Sequence, residues 1–93
     1  MSGLSEKDII VANKIACRIK KLRLQHTGQK QADFVEKYNI DKQDISRWEG
    51  LVSIDKKTGK IKGRGVTVYT IQKFCDLIGI SLKDFFDDEL FKK

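Results

Sequence analysis

The stretch QADFVEKYNIDKQDISRWE, residues 31–49, gives the clearest indication of the fold, because its apolar residues fit two short helices separated by a tight turn. Phe34 and Tyr38 are four residues apart in the first half, and Ile45 and Trp48 are three residues apart in the second. Residues at these spacings lie on one face of a helix. Each half therefore has one apolar stripe, and we expect Trp48 to lie in the core.

The residues between the two halves are typical of a turn. Asn39 accepts a left-handed backbone conformation more readily than other non-glycine residues, so it can end the first helix. Ile40 can then pack between the helices. Asp41 is a favourable N-cap for the second helix, and Asp44 places another carboxylate in its first turn.

With the apolar stripes turned inward, the second helix exposes side chains that form hydrogen bonds: Lys42, Gln43, Ser46 and Arg47. Such side chains suit the base edges of a DNA major groove, where Gln pairs with adenine and Arg with guanine. Any amphipathic helix also has a solvated polar face, so this pattern alone leaves both interpretations open. Asp44 could accept from a cytosine amine, but we favour its capping role.

Three segments, taken together, resemble the phage repressor/Cro-like (XRE-type) family of helix-turn-helix DNA-binding proteins. The first contains Gln31, Phe34, Val35, Asn39, Ile40, Ile45 and the run SRWEG at 46–50. The second, IQKFCDLIGISLKDFF at 71–86, is similar to the family's last two helices, which often end in LGVSLDELF. The third is RIKKLR at 18–23. The resemblance covers roughly residues 14–87.

This resemblance implies an all-α fold: a compact, lambda-repressor-like bundle of about five helices around a central helix-turn-helix. Residues 41–49 would be the recognition helix, with Lys42 and Gln43 reaching bases or nearby phosphates from its start. Gln31 would bind a phosphate oxygen together with free backbone N–H groups, and Lys30 would add charge. The alternative for Gln31 is a solvated residue in the first turn.

The family often pairs an Arg at the end of its first helix with a Glu at the end of the recognition helix. Arg23 and Glu49 occupy these places, although the spacing from Arg23 to Gln31 is one residue longer than usual. The resemblance therefore implies a structural ion pair.

The remaining helices follow from apolar spacing and caps. We expect one helix from about 6 to 24, one from about 68 to 78 whose apolar positions begin with Val68, and a last helix capped by Ser81. The first helix begins earlier than its counterpart in the family. Its extra turns, with Ile10 and Val11, need an apolar partner, which is either the C-terminal helix or a second subunit.

Residues 51–66, LVSIDKKTGKIKGRGV, are the main departure from the family, which has a short loop here. The segment is basic, with Lys56, Lys57, Lys60, Lys62 and Arg64. The pattern fits a small β-hairpin and fits a flexible basic loop equally well. We expect the cations to contact DNA phosphates; the alternative is a loop that only aids solubility.

Length and composition fit this interpretation. A chain of 93 residues is one domain, 1–93, with a loose N-terminus at 1–5, a helix-turn-helix at 31–50 and the basic loop at 51–66. A net charge of +6 favours a polyanionic partner, though weakly. No apolar run approaches membrane-spanning length, and the start MSGLSEKD lacks a signal pattern. We expect a cytoplasmic, nucleoid-associated protein without membrane contact.

The two cysteines, Cys17 and Cys75, are far apart and lack metal-ligand spacing. Each falls on the apolar side of a predicted helix, so we expect buried thiols in a reducing compartment. One His and the absence of a nucleophile–base motif or a glycine-rich phosphate loop argue against an enzyme. No catalytic residue, metal or cofactor is predicted.

The favoured function is a sequence-specific regulator of transcription: a small repressor of phage, plasmid or mobile-element origin that binds double-stranded DNA as a homodimer. Surplus aromatic residues near the C-terminus favour a dimer contact. The alternative is an antitoxin or protein-interaction module that uses the same helices to bind a toxin or co-regulator. The cationic loop discriminates between them, because an adaptor has no need of it.

Overall fold

The computed structural model describes residues 6–63 and 65–92. The expected loose N-terminus at 1–5 and the predicted phosphate contact Arg64 lie outside the described residues. The α-helices are α1 (Glu6–Thr27), α2 (Gln31–Tyr38), α3 (Lys42–Trp48), α4 (Val68–Ile78) and α5 (Leu82–Phe86). Two short strands, β1 (Ser53–Ile54) and β2 (Ile61–Lys62), follow α3, and a 3₁₀ helix, Glu89–Phe91, follows α5. The chain is mainly helical, as predicted.

Phe74 on α4 lies at the centre of the core. Its ring is 5.8 Å from that of Phe34 on α2, 6.1 Å from Trp48 on α3 and 6.3 Å from Phe85 on α5, measured between centroids. Ile19 of α1 belongs to the same cluster and is fully buried. Each α-helix thus contributes at least one large side chain, and burial of these apolar groups is the main force that holds the bundle together. The core position predicted for Trp48 is confirmed.

Arg18 of α1 fastens the C-terminal end of the chain. Its guanidinium donates to the Phe85 carbonyl at 2.7 Å and the Asp84 carbonyl at 3.0 Å. It also donates to Asp88 Oδ1 at 3.2 Å, and Lys21 Nζ donates to the same oxygen at 2.7 Å. These carbonyls belong to the last turn of α5, where the helix supplies no further i+4 amide, although that of Asp84 also accepts from the Asp87 amide at 3.2 Å. Arg18 therefore satisfies a helix end from another helix.

The helix boundaries follow the expected caps in most cases. Asn39 has a φ of 53° and ends α2 in the left-handed conformation. Thr67 and Ser81 accept hydrogen bonds from backbone amides in the first turns of α4 and α5. Asp41 occupies the N-cap position of α3 with extended backbone, but within the described segment 6–63 its side chain accepts no capping hydrogen bond. That part of the prediction was wrong.

Three further expectations require correction. The first helix continues to Thr27 rather than ending near residue 24. Cys75 is buried, but Cys17 is exposed. Burial raises the pKa of the Cys75 thiol. Val68, assigned to the apolar stripe of α4, is 68% exposed, because it lies in the first turn, where the helix projects beyond the core.

The extra turns of α1 keep much of their apolar surface in contact with solvent. Ile10 is 54% exposed and Val11 is 52% exposed. The C-terminal helix therefore does not cover them, and cover by a second subunit stays a prediction. Of the helices in the described ranges, not one has the length and apolar character needed to cross a membrane.

Low pH should weaken the ion pairs by which Asp88 holds the C-terminal end of the chain to α1. The hydrogen bond from Lys21, with smaller contributions from the Leu90 amide and Arg18, lowers the pKa of Asp88 below its ordinary value of 3.8. A lowered native pKa contributes stability that is present above the pKa of the unfolded chain and is lost as pH falls through the native pKa. Asp88→Asn should lower the melting temperature at about pH 7, and the difference from wild type should shrink towards about pH 3.

The measurement is thermal unfolding followed by circular dichroism across this pH range. Glu36→Gln, at an exposed position on α2, is the control and should melt close to wild type. A constant difference between Asp88→Asn and wild type at every pH would contradict the assignment.

Candidate nucleic-acid interface

Helices α2 and α3 are joined by the tight turn that the sequence predicted. The backbone amides of Asn39 and Ile40 both donate to the Val35 carbonyl, the second at 3.2 Å. Phe34 of α2 and Ile45 of α3 are fully buried on the inner side of the pair. Because the turn and these side chains fix the rotation of α3 about its axis, the outer face of the helix is also fixed.

The outer face of α3 presents the four side chains predicted to read DNA. Lys42, Gln43, Ser46 and Arg47 are all exposed. The Arg47 guanidinium is 3.8 Å from the half-buried carboxylate of Asp44. An exposed pair at this separation is weak, so Arg47 can leave it for a stronger partner at little cost. The structure therefore brings the predicted reading residues together on one accessible surface.

The far end of α3 is held by a buried ion pair between Arg23 and Glu49. The Arg23 guanidinium donates through Nε and Nη2 to both carboxylate oxygens, and the two side chains are 3% and 6% exposed. Its Nη1 donates to the carbonyls of Gly28 at 3.0 Å and Gln29 at 3.1 Å. A bidentate pair in which every guanidinium nitrogen also has an acceptor fixes both side chains. The pairing implied by the resemblance is confirmed.

Gln31, predicted to bind phosphate, belongs to this same network. Its Nε2 donates to Glu49 Oε1 at 3.2 Å, and the side chain is half-buried. It is therefore not the freely solvated residue of the alternative interpretation. Lys30 precedes it and is exposed at the N-cap position of α2. Phosphate binding by these two residues stays a prediction.

The basic segment contains a β-hairpin, which answers the question that the sequence left open. Strands β1 and β2 are antiparallel, with Ser53 opposite Lys62 and Ile54 opposite Ile61. The tip is also ordered by hydrogen bonds. The Asp55 amide donates to the Lys60 carbonyl at 2.8 Å, and the Asp55 carbonyl accepts from Gly59 at 2.7 Å. Residues 53–62 are hereafter called the lysine hairpin.

The lysine hairpin carries unneutralised positive charge. Its four lysines are all exposed: Lys56, Lys57, Lys60 and Lys62. The ion pairs found in the described part of the chain involve other residues, so these ammonium groups face only solvent. Like charges held close together repel one another, and a polyanion would relieve that repulsion.

Asn13 of α1 attaches the base of the hairpin to the helical bundle. Its Nδ2 donates to the Val52 carbonyl at 3.0 Å, and its Oδ1 accepts from the Val52 amide at 2.7 Å. Gly63 closes the other side of the base with a φ of +88°, and a Cβ there would be 2.8 Å from the Leu51 carbonyl oxygen. Asn13 was not among the residues predicted from the sequence. A polar residue with low helix propensity within the apolar pattern of α1 could have indicated a side-chain contact there.

The exposed face of α3 continues into the base of the hairpin. Arg47 lines an open surface depression together with Gly50, Leu51 and Gly63. Arg47 also lines a second depression that extends to Thr67 at the start of α4. Arg47 is therefore adjacent to the segments that lead into and out of the lysine hairpin.

Among the described residues, His, Cys, Asp and Glu form no cluster that could hold a metal ion. Comparisons of the chain with protein-family models, curated proteins and solved structures found no match.

Loss of Glu49 should destabilise the whole bundle. Glu49→Ala leaves the Arg23 guanidinium buried without its counter-ion, which typically costs about 3–5 kcal/mol. We expect the free energy of unfolding, measured by urea denaturation, to fall by that amount. Glu36→Ala, at an exposed position on α2, is the control and should change it by less than about 0.5 kcal/mol. Similar values for the two variants would show that the ion pair does not hold the helices together.

Proposed function

We propose that this protein is a sequence-specific regulator that binds double-stranded DNA with α3 as the recognition helix of a helix-turn-helix. The observation that carries the proposal is the division of α3 into two faces. Ile45 and Trp48 are buried, whereas Lys42, Gln43, Ser46 and Arg47 are exposed. A helix anchored in the core along one side offers the other side to a ligand with little loss of backbone freedom on binding.

The dimensions of α3 support this proposal. A helix with its side chains is about 10–12 Å in diameter, and the B-DNA major groove is about 12 Å wide, so α3 can enter it. Gln43 can form paired hydrogen bonds with adenine, and Arg47 can do so with guanine or contact a phosphate. Asp44 lies beside Arg47 and would help to orient it rather than read a base.

Contacts to the sugar–phosphate backbone would position α3. A glutamine amide has two N–H donors, and Gln31 uses one on Glu49, so the other is oriented and available for phosphate. Lys30 would add charge at the start of α2. The four lysines of the hairpin would supply phosphate contacts on the other side of α3. The net charge of +6 favours the approach of a polyanion.

A regulator of this kind would act as a repressor by covering a promoter, as in small phage, plasmid or mobile-element systems, and would work in the cytoplasm at the nucleoid. A homodimer on DNA would double the number of contacts. Phe86 is 39% exposed and lies 5.1 Å from the Phe91 ring, which leaves aromatic surface for a second copy.

A second candidate function is protein binding, as in an antitoxin that holds a toxin or co-regulator. The specific observation is Tyr69, which is 80% exposed beside Val68 at the start of α4. Exposed aromatic residues are typical of interface hot spots. Such a function does not account for the charge of the hairpin, so it ranks below DNA binding.

The experiment is selection from a pool of randomised duplexes at near-physiological salt, followed by titration of the best-bound sequence. Gln43→Ala and Arg47→Ala should each weaken that binding by about 1–3 kcal/mol and relax base preference at one position. Both side chains are exposed, so the fold should be retained.

Lys83→Ala is the control, because Lys83 is an exposed cation on α5 and lies outside the proposed interface. It should change binding only slightly. Unchanged specific binding by both α3 variants would show that α3 does not read the DNA.

A further inference from the structure

Two features by which this chain departs from the family it resembles are bonded to each other. The first is the early part of α1, which begins before the resemblance starts near residue 14. The second is the lysine hairpin, which replaces a short loop. Asn13 belongs to the first and binds Val52 at the base of the second through two hydrogen bonds. The extra turns of α1 therefore have a structural partner in the hairpin.

The attachment restricts the hairpin more than one hydrogen bond would. Asn13 contacts both backbone polar groups of Val52, and Val52 is 3% exposed. Two bonds in a partly buried place fix the direction of the backbone as well as its position. The neighbouring residue Ala12 lies close to the chain where it leaves the hairpin, since a Cβ added to Gly65 would be 3.3 Å from the Ala12 Cβ. Consecutive residues of α1 thus lie next to both sides of the hairpin base.

The hairpin is also ordered from its base to its tip. Asp55 Oδ1 accepts from the Lys57 amide at 2.9 Å, and Thr58 Oγ1 accepts from the Lys60 amide at 3.3 Å. With the strand pairing, these bonds place the lysine Cα atoms at set positions relative to Val52. Val52 is buried and follows the end of α3 by four residues, so the base of the hairpin lies close to α3, and Arg47 lines the depression there.

We propose that Asn13 is a positioning residue that locks the lysine hairpin beside α3, so that its lysines contact DNA phosphates at a fixed distance from the base pairs that α3 reads. The inference rests on the proposed DNA-binding function. It assigns a role to a residue that does not itself touch DNA. A hinged hairpin would sample many positions, so its lysines would lie near phosphates for only part of the time. A locked hairpin keeps them there, and its charges then add to the specific complex.

The salt dependence of binding measures these contacts directly. Each phosphate neutralised on B-DNA changes the slope of log affinity on log salt by about −0.9. Replacing Lys56, Lys57, Lys60 and Lys62 by Gln should therefore flatten the slope by up to about 3–4. Asn13→Ala keeps all four lysine charges but frees the base of the hairpin from α1, so it should flatten the slope by about 1–3.

A double-mutant cycle separates positioning from simple loss of stability. If Asn13 acts through the lysines, Asn13→Ala should have no further effect on the slope in the chain that already carries the four Gln substitutions. If it acts by unfolding, its effect should persist there. Gln25→Ala, at an exposed position on the same helix, is the control and should match wild type.

Two further measurements keep the inference testable if Asn13→Ala is unstable. Gly63→Ala disturbs the hairpin base without touching α1 and should flatten the slope in the same way. Amide hydrogen exchange should become at least about tenfold faster at Val52 in Asn13→Ala, while the amide of Phe34 in the core keeps its protection.

The outcomes distinguish the inference from the function on which it rests. Wild type that binds no duplex DNA overturns both. If wild type binds DNA and Arg47→Ala binds it more weakly, the proposed function is supported. If Asn13→Ala, Gly63→Ala and the four-Gln chain then show the same salt slope as wild type, the positioning role of Asn13 is overturned and the proposed function is not. A flattened salt slope in all three variants supports the positioning role of Asn13, provided that Asn13→Ala changes the slope no further in the chain with the four Gln substitutions.

Discussion

The buried ion pair between Arg23 and Glu49 fixes how the first three helices pack against one another. Taking two charges out of water costs on the order of several kcal/mol for each, and this cost is offset here because every guanidinium nitrogen of Arg23 donates to a carboxylate or carbonyl oxygen. The pair joins the end of α1, the connection to α2 and the end of α3. Gln31 adds the start of α2 to the same carboxylate. The orientation of α3, and so of its exposed face, follows from this network.

Charges of opposite sign are grouped in different segments of the chain. The acidic residues Asp84, Asp87, Asp88 and Glu89 gather around α5. Arg18 and Lys21 neutralise part of this group by binding Asp88. The lysine hairpin, by contrast, has no acid to balance it after Asp55. A molecule with one basic surface beside a rigid polar helix is suited to a ligand that combines regular negative charge with hydrogen-bonding edges, which is what a DNA duplex offers.

The sequence predicted those parts of the fold that depend on residue type and spacing. Asn39 was identified because few residues accept its backbone conformation, and Trp48 because of its place in an apolar stripe. Spacing does not reveal where a stripe meets solvent, so Cys17 and Val68 were wrongly assigned to the core. The contacts of Asn13 and Arg18 could not be predicted, because their main partners are backbone atoms 39 and 67 residues away. Backbone groups are the same at every position, so no residue type marks them.

Binding of DNA by α3 and the lysine hairpin can be tested by titrating the isotope-labelled wild-type protein with duplex DNA and following its backbone amide NMR signals. We expect the signals of α3, from Lys42 to Arg47, and of the lysine hairpin to shift together at the same DNA concentration, while those of α5 stay unchanged. Shifts confined to α5 and the first turn of α4, or no shift at all, would contradict it and would place any ligand on a different face of the molecule.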